Sequence, residues 1–78
     1  MVAKDPMLAR LGEYLRKIRG QRGWSQEELA FKCGLHRTYI GAIERGEYNV
    51  TILSLRKITD TLRVSLVDAA AAMGGRKK

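Results

Sequence analysis

Chain breakers fall at Pro6, Gly23, Gly34, Gly46 and the Gly74-Gly75 pair, and the intervals between them carry apolar residues at helical steps. That pattern leaves room for short helices and little else. After Pro6, residues Leu8, Leu11, Leu15 and Ile18 trace one stripe of an amphipathic helix that ends between Gly20 and Gly23. Ser25, followed three residues later by Glu28, forms a capping-box pattern that opens a second helix. This helix carries Leu29, Ala30 and Cys33 and stops at Gly34. A third segment runs from His36 to Arg45, with Ile40 and Ile43 three apart. Thr51 or a neighbour caps a fourth, with Ile52, Leu55, Ile58 and Leu62 at core spacing, and Ser65 caps a fifth over Leu66 to Met73. No stretch alternates with period two over the length of a strand. The expected class is all-α, a compact five-helix domain around one core. It spans residues 7–73, between an N-terminal arm (1–6) and a basic tail (74–78).

At 78 residues there is material for one small domain. Fifteen Lys and Arg against eight Asp and Glu leave a formal charge of +7. Such an excess attracts polyanions: nucleic acid first, then acidic membrane or acidic protein surfaces. Its distribution is uneven. Residues 1–24 carry six basic and two acidic side chains, residues 25–46 three of each, and residues 47–78 six and three. A phosphate-binding rim around a less charged reading element has this distribution, and so does an ordinary solvated surface.

One Cys and one His exclude a disulfide framework and a Cys/His zinc site. They leave His36 as the one histidine for nucleophilic catalysis, with no carboxylate dyad or thiol patterned around it. No catalytic residue, metal site or cofactor is therefore expected. No apolar run approaches the roughly 18 residues that a membrane span needs, and Met1 to Pro6 lacks the apolar stretch of a leader. The expected location is the cytoplasm, where a lone thiol stays reduced.

The chemistry is concentrated between Ser25 and Gly46. Two short helices joined at Gly34 have helix-turn-helix spacing. Small Ala30 lies at the crossing, a glycine free to take positive φ follows four later, and branched Ile40 and Ile43 follow ten and thirteen later. At about 100° per residue, the third helix turns Ile40 and Ile43 inward and Arg37, Thr38, Gly41, Ala42 and Arg45 outward. Two arginines, a hydroxyl and two very small residues suit a helix lying close to the floor of a major groove. Arg37 can donate two hydrogen bonds to guanine O6 and N7, and Thr38 can bond a base edge or set its methyl against that of thymine. Trp24 with Phe31 reads as core and edge packing, and Cys33 as a small core residue.

Ser25-Gln26-Glu27-Glu28-Leu29-Ala30, Cys33-Gly34-Leu35 and Arg37-Thr38-Tyr39-Ile40 through Glu44-Arg45-Gly46 resemble the Cro/repressor (XRE-type) helix-turn-helix family. The likeness extends from Leu8 to Leu66. Within that family, His36 to Thr51 most resembles the controller proteins of restriction-modification systems, which are dimeric transcriptional regulators. Antitoxin-type and phage-type repressors share most of these residues and stand as the alternative. The resemblance implies a sequence-specific, autoregulatory regulator of double-stranded DNA, with Arg37, Thr38 and Ala42 reading bases. It implies phosphate contacts from Ser25, Gln26, His36, Tyr39, Arg45 and Asn49, with backbone amides at the start of the second helix beside Gln26. His36 departs from the Asp, Ser or Thr more usual at that cap, and Tyr39 reads equally well as a packing residue. Arg19 and Glu44 match a structural ion pair that ties the first helix to the end of the third.

A single recognition helix makes few base contacts, so such regulators pair two across half-sites about one helical turn, roughly 34 Å, apart. Leu53, off the stripe of the fourth helix, and Leu66, Val67 and Ala70 on the fifth are expected to form a symmetric homodimer interface. The competing reading buries them inside a monomer. No small-molecule ligand is expected, and RNA polymerase stands as a further partner, reached through Glu27, Glu28 or Glu47. A reading of another class, a protein-interaction module on the same fold, calls for large apolar residues where the outward face has Arg37, Thr38 and Arg45.

Overall fold

The computed structural model describes residues 5–74. Among them lie five helices and no strand: α1 (Pro6–Arg22), α2 (Gln26–Cys33), α3 (Arg37–Glu44), α4 (Ile52–Leu62) and α5 (Leu66–Gly74). The architecture is all-α, as the spacing implies. Most helix starts are written in local chemistry. Asp5 Oδ1 accepts the Met7 N–H at 2.8 Å, and Pro6 occupies the first position, where a missing N–H costs nothing. Ser25 and Glu28 complete their capping box, Glu28 N–H donating to Ser25 Oγ at 3.0 Å and Ser25 N–H to Glu28 Oε1 at 2.8 Å. Thr51 Oγ1 and Ser65 Oγ accept from the amides of Ser54 and Asp68. Gly34 closes α2 in the left-handed region at φ 75°, a conformation that frees the chain to turn at once into α3.

The core gathers Leu11 and Leu15 of α1, Leu29, Ala30 and Cys33 of α2, Ile40 and Ile43 of α3, Leu55, Ile58 and Leu62 of α4, and Ala69 of α5. Burial pushes the Cys33 thiol above its ordinary value, which keeps it neutral and inert. Three expectations need correction. Ile52 is 66% exposed, because it opens α4 one turn ahead of the buried stripe that begins at Leu55. Phe31 is 88% exposed, because it falls between the inward positions Ala30 and Cys33 on the side of α2 that faces solvent. Trp24 keeps its expected place, half-buried on the core, with the Lys32 ammonium 4.8 Å from its ring centroid. Pro6, read as part of the arm, is the first residue of α1, and Gly74, read as the start of the tail, closes α5. Residues 1–4 of the arm and 75–78 of the tail lie outside the described residues.

The tightest crossing has no counterpart in the sequence pattern. Gly12 of α1 passes so close to the end of α3 that a Cβ there would collide with the Glu44 carbonyl oxygen and stand 2.5 Å from that of Ile43. Only glycine lets the two backbones approach this closely. The crossing fixes α3 from behind and leaves its opposite side to solvent.

Candidate nucleic-acid interface

One buried carboxylate organises the interface. Glu44, the last residue of α3, is 8% exposed and accepts three hydrogen bonds. Arg19 of α1 donates from Nε at 2.7 Å and from Nη2 at 3.0 Å, in the parallel geometry that a guanidinium and a carboxylate share. Gln26, the first residue of α2, donates its amide at 3.0 Å. Arg19 is itself anchored by donating Nη1 to the Trp24 carbonyl at 2.7 Å, and its bond to Glu44 raises the guanidinium pKa above the ordinary value. Three helices thus meet on one side chain, and a charge buried this deeply needs such compensation.

The same network sets what α3 presents. Arg37 and Thr38 stand exposed at its start, and Ala42 is half-buried one turn further. Gly41, expected on the outward face, is buried instead. A Cβ at Gly41 would lie 3.1 Å from Arg45 Nη1 and 3.5 Å from Gln26 Oε1, so these two side chains close over it. The outer surface beside Ala42 is therefore formed by Gln26 and Arg45, an amide and a guanidinium. Arg45 Nε also donates to Glu47 Oε1 at 3.0 Å, in an exposed pair.

The other expected contacts take varied positions. Ser25 Oγ accepts the capping bond, which leaves its own proton to donate. His36 and Asn49 are exposed, and His36 occupies the N-cap of α3 without any side-chain cap bond. Tyr39 is half-buried, its ring meeting that of Tyr48 edge to face with centroids 4.7 Å apart. These rings help wall an open cavity of about 560 Å³, lined also by His36, Thr38, Ala42 and Ser54. Tyr48 and Ser54 escaped the sequence reading, because they lie on the loop before α4 and in its first turn and reach Tyr39 only through the tertiary fold. Among the described residues no group of three or more His, Cys, Asp and Glu side chains could hold a metal ion.

Away from this surface Leu53 and Val67 are 70% and 75% exposed, Ile52 and Ala70 are exposed close to them in sequence, and Leu66 packs partly on the core. No helix among the described residues is long and apolar enough to cross a membrane.

The helix-turn-helix family matches residues 15–68, which include the Gly34 turn and both helices that it joins. The chain belongs to this family. Among helix-turn-helix relatives, the control protein C.BamHI of Bacillus amyloliquefaciens is 48% identical over 58 residues, covering 73% of this chain and 72% of that protein. A hypothetical transcription factor of Neisseria meningitidis is 44% identical over 62 residues, covering 80% of this chain and 58% of that longer protein. The restriction-modification controller protein C.Esp1396I, solved as a tetramer in complex with its natural 35 base-pair operator, superposes with a TM-score of 0.76 at 42% identity. That alignment covers 86% of this chain and 88% of the other. In helix-turn-helix terms, α2 is the positioning helix and α3 the reading helix.

Proposed function

We propose that this chain is a sequence-specific transcriptional regulator of double-stranded DNA, acting as controller proteins act, with α3 in the major groove. The observation that carries the reading is the surface of α3. Exposed Arg37 and Thr38 lead it, and Gln26 and Arg45 close over Gly41 behind them. Arg37 suits the paired acceptors of guanine, Thr38 and Ala42 suit a thymine methyl, and Ser25, Gln26, His36, Tyr39, Arg45 and Asn49 hold the flanking phosphates. The outward positions Arg37, Thr38 and Arg45 are polar where a protein-interaction module would use large apolar side chains. Its work is binding rather than catalysis, on DNA of the cytoplasmic nucleoid.

The reading includes a homodimer on a two-fold operator and regulation of its own gene. Leu53, Val67 and Ala70 supply the self-complementary apolar surface, with Leu66 at its edge. RNA polymerase is a further partner through the exposed side of α2. Of the candidate carboxylates, Glu28 of α2 is engaged in the capping box and Glu47, in the loop after α3, by Arg45, which leaves Glu27 of α2 as the contact.

Selection of bound sequences from random duplex DNA at near-physiological salt tests the reading. The expected result is a two-fold-symmetric site with half-sites about one helical turn, roughly 34 Å, apart. Arg37→Ala then costs about 1–3 kcal/mol on that site and relaxes preference at one base pair, whereas equal losses on random DNA would reduce Arg37 to a phosphate contact. Leu53→Asp yields monomers by sedimentation with helical content retained. Absence of any enriched site overturns the reading.

A further inference from the structure

Three of the five basic side chains on α1 are held within the molecule's own hydrogen bonds. Arg10 Nε donates to the Met73 carbonyl at 3.0 Å, Arg22 Nε to the Leu62 carbonyl at 2.9 Å, and Arg19 to Glu44 and the Trp24 carbonyl. Met73 and Leu62 lie at the ends of α5 and α4, where carbonyls lack an intrahelical donor. Arg16 and Lys17 form no ion pair or side-chain hydrogen bond among the described residues. They line different sides of α1. Lys17 borders a groove toward α5, with Arg10, Tyr14 and Ala72. Arg16 borders a cleft of about 320 Å³ toward the end of α3, with Ala9, Glu13, Glu44 and Arg45. The walls of that cleft are fixed, because Gly12 lies against the last carbonyls of α3 and Gly46 against Ala9.

We propose that Arg16 is a further phosphate-binding residue, which shares one DNA phosphate with Arg45 at the mouth of this cleft. The inference rests on the DNA reading above and extends the contact surface from the helix-turn-helix onto α1. The carboxylate of Glu44 is taken up by Arg19 and Gln26, and that of Glu47 by Arg45 Nε, so neither opposes a phosphate directly. Glu13 lines both grooves and weakens the attraction of Arg16 and Lys17 alike. Arg16 keeps every guanidinium N–H for an incoming oxygen anion, and two guanidinium groups on one phosphate supply the paired donors that such an anion accepts.

The test is the salt dependence of binding by the full chain, on the selected operator and on a random duplex. Removing a cation that neutralises one phosphate lowers the slope of log affinity against log salt by about 0.9. Arg16→Gln is expected to lower it by about that amount per protomer on both duplexes, and Arg16→Lys to retain most of it. Lys17→Gln removes the same charge from the other side of α1 and is expected to leave the slope near that of the parent. Equal reductions from Arg16→Gln and Lys17→Gln would show a diffuse charge effect and overturn the proposal, as would an unchanged slope in Arg16→Gln. A parent chain that selects no site and shows no salt-dependent binding overturns the DNA reading itself, a result seen before any variant is made.

Discussion

Helices α2 and α3 are each eight residues long and both end on a left-handed glycine, but their starts are secured differently. The ends of α2 are closed by its own neighbours: a complete capping box at Ser25 and Glu28, and Gly34 in the left-handed region. The end of α3 closes the same way, on Gly46 in the left-handed region with the Glu47 N–H donating to the Ala42 carbonyl at 3.0 Å, but at its start His36 makes no side-chain capping bond. Eight residues are too few for a stable helix in isolation, so α3, with no side-chain cap at its start, leans on tertiary contacts. Ile40 and Ile43 are buried behind it, Gly12 admits its last carbonyls, and Glu44 is bonded by two other helices. A helix anchored from behind keeps its leading end and outer side uncommitted, as a reading element needs. A helix closed by its own caps can frame the turn that aims it.

This contrast can be broken at its strongest point. Arg19→Ala would leave the Glu44 carboxylate buried with Gln26 as its remaining donor, and is expected to destabilise the fold by about 3 kcal/mol, read as a shift in urea midpoint. The lower end of the range for buried pairs applies because the Arg19 side chain keeps 15% of its exposure. Next in size, Gly12→Ala would push α1 off the end of α3 and is expected to cost about 1–3 kcal/mol, the range for overpacking, with DNA affinity falling as α3 shifts. Ser25→Ala acts on α2 alone and is expected to cost about 1 kcal/mol in thermal or urea unfolding. The smallest effect sharpens the comparison. His36→Ser supplies the missing cap of α3 and is expected to add up to about 1 kcal/mol of stability. If that gain is absent, the start of α3 is already satisfied by its surroundings and the contrast weakens. Alkylation of Cys33 reports on all four variants, because a buried thiol with a raised pKa reacts only when the core opens.

Much of this is legible in the sequence. Ser25 with Glu28, Thr51 and Ser65 announce helix starts because their side chains reach amides two or three residues away, a matter of local geometry. The stripes through Leu11, Leu15, Leu55, Ile58 and Leu62 announce the core because burial must follow the helical period. Arg37 and Thr38 were legible as outward residues for the same reason. The departures arise where position along a helix does not fix position in the fold. Ile52 keeps the spacing of its stripe but opens α4 ahead of the core. Gly41 keeps the outward angle but is covered by side chains from α2 and from the end of its own helix.

The sequence by itself determined the number and order of the helices, their ends to within a residue, most of the core stripe and the exposed start of α3, because these depend on interactions within a few residues and on a fixed period. Only the tertiary structure decided that Gln26 of α2 would join the Arg19–Glu44 pair, that Gly12 marks the close approach of α1 to α3, and that Arg10 and Arg22 would hold to helix-end carbonyls while Arg16 stays free beside Arg45. Those outcomes depend on distances between residues far apart in the chain, and no local pattern encodes such distances.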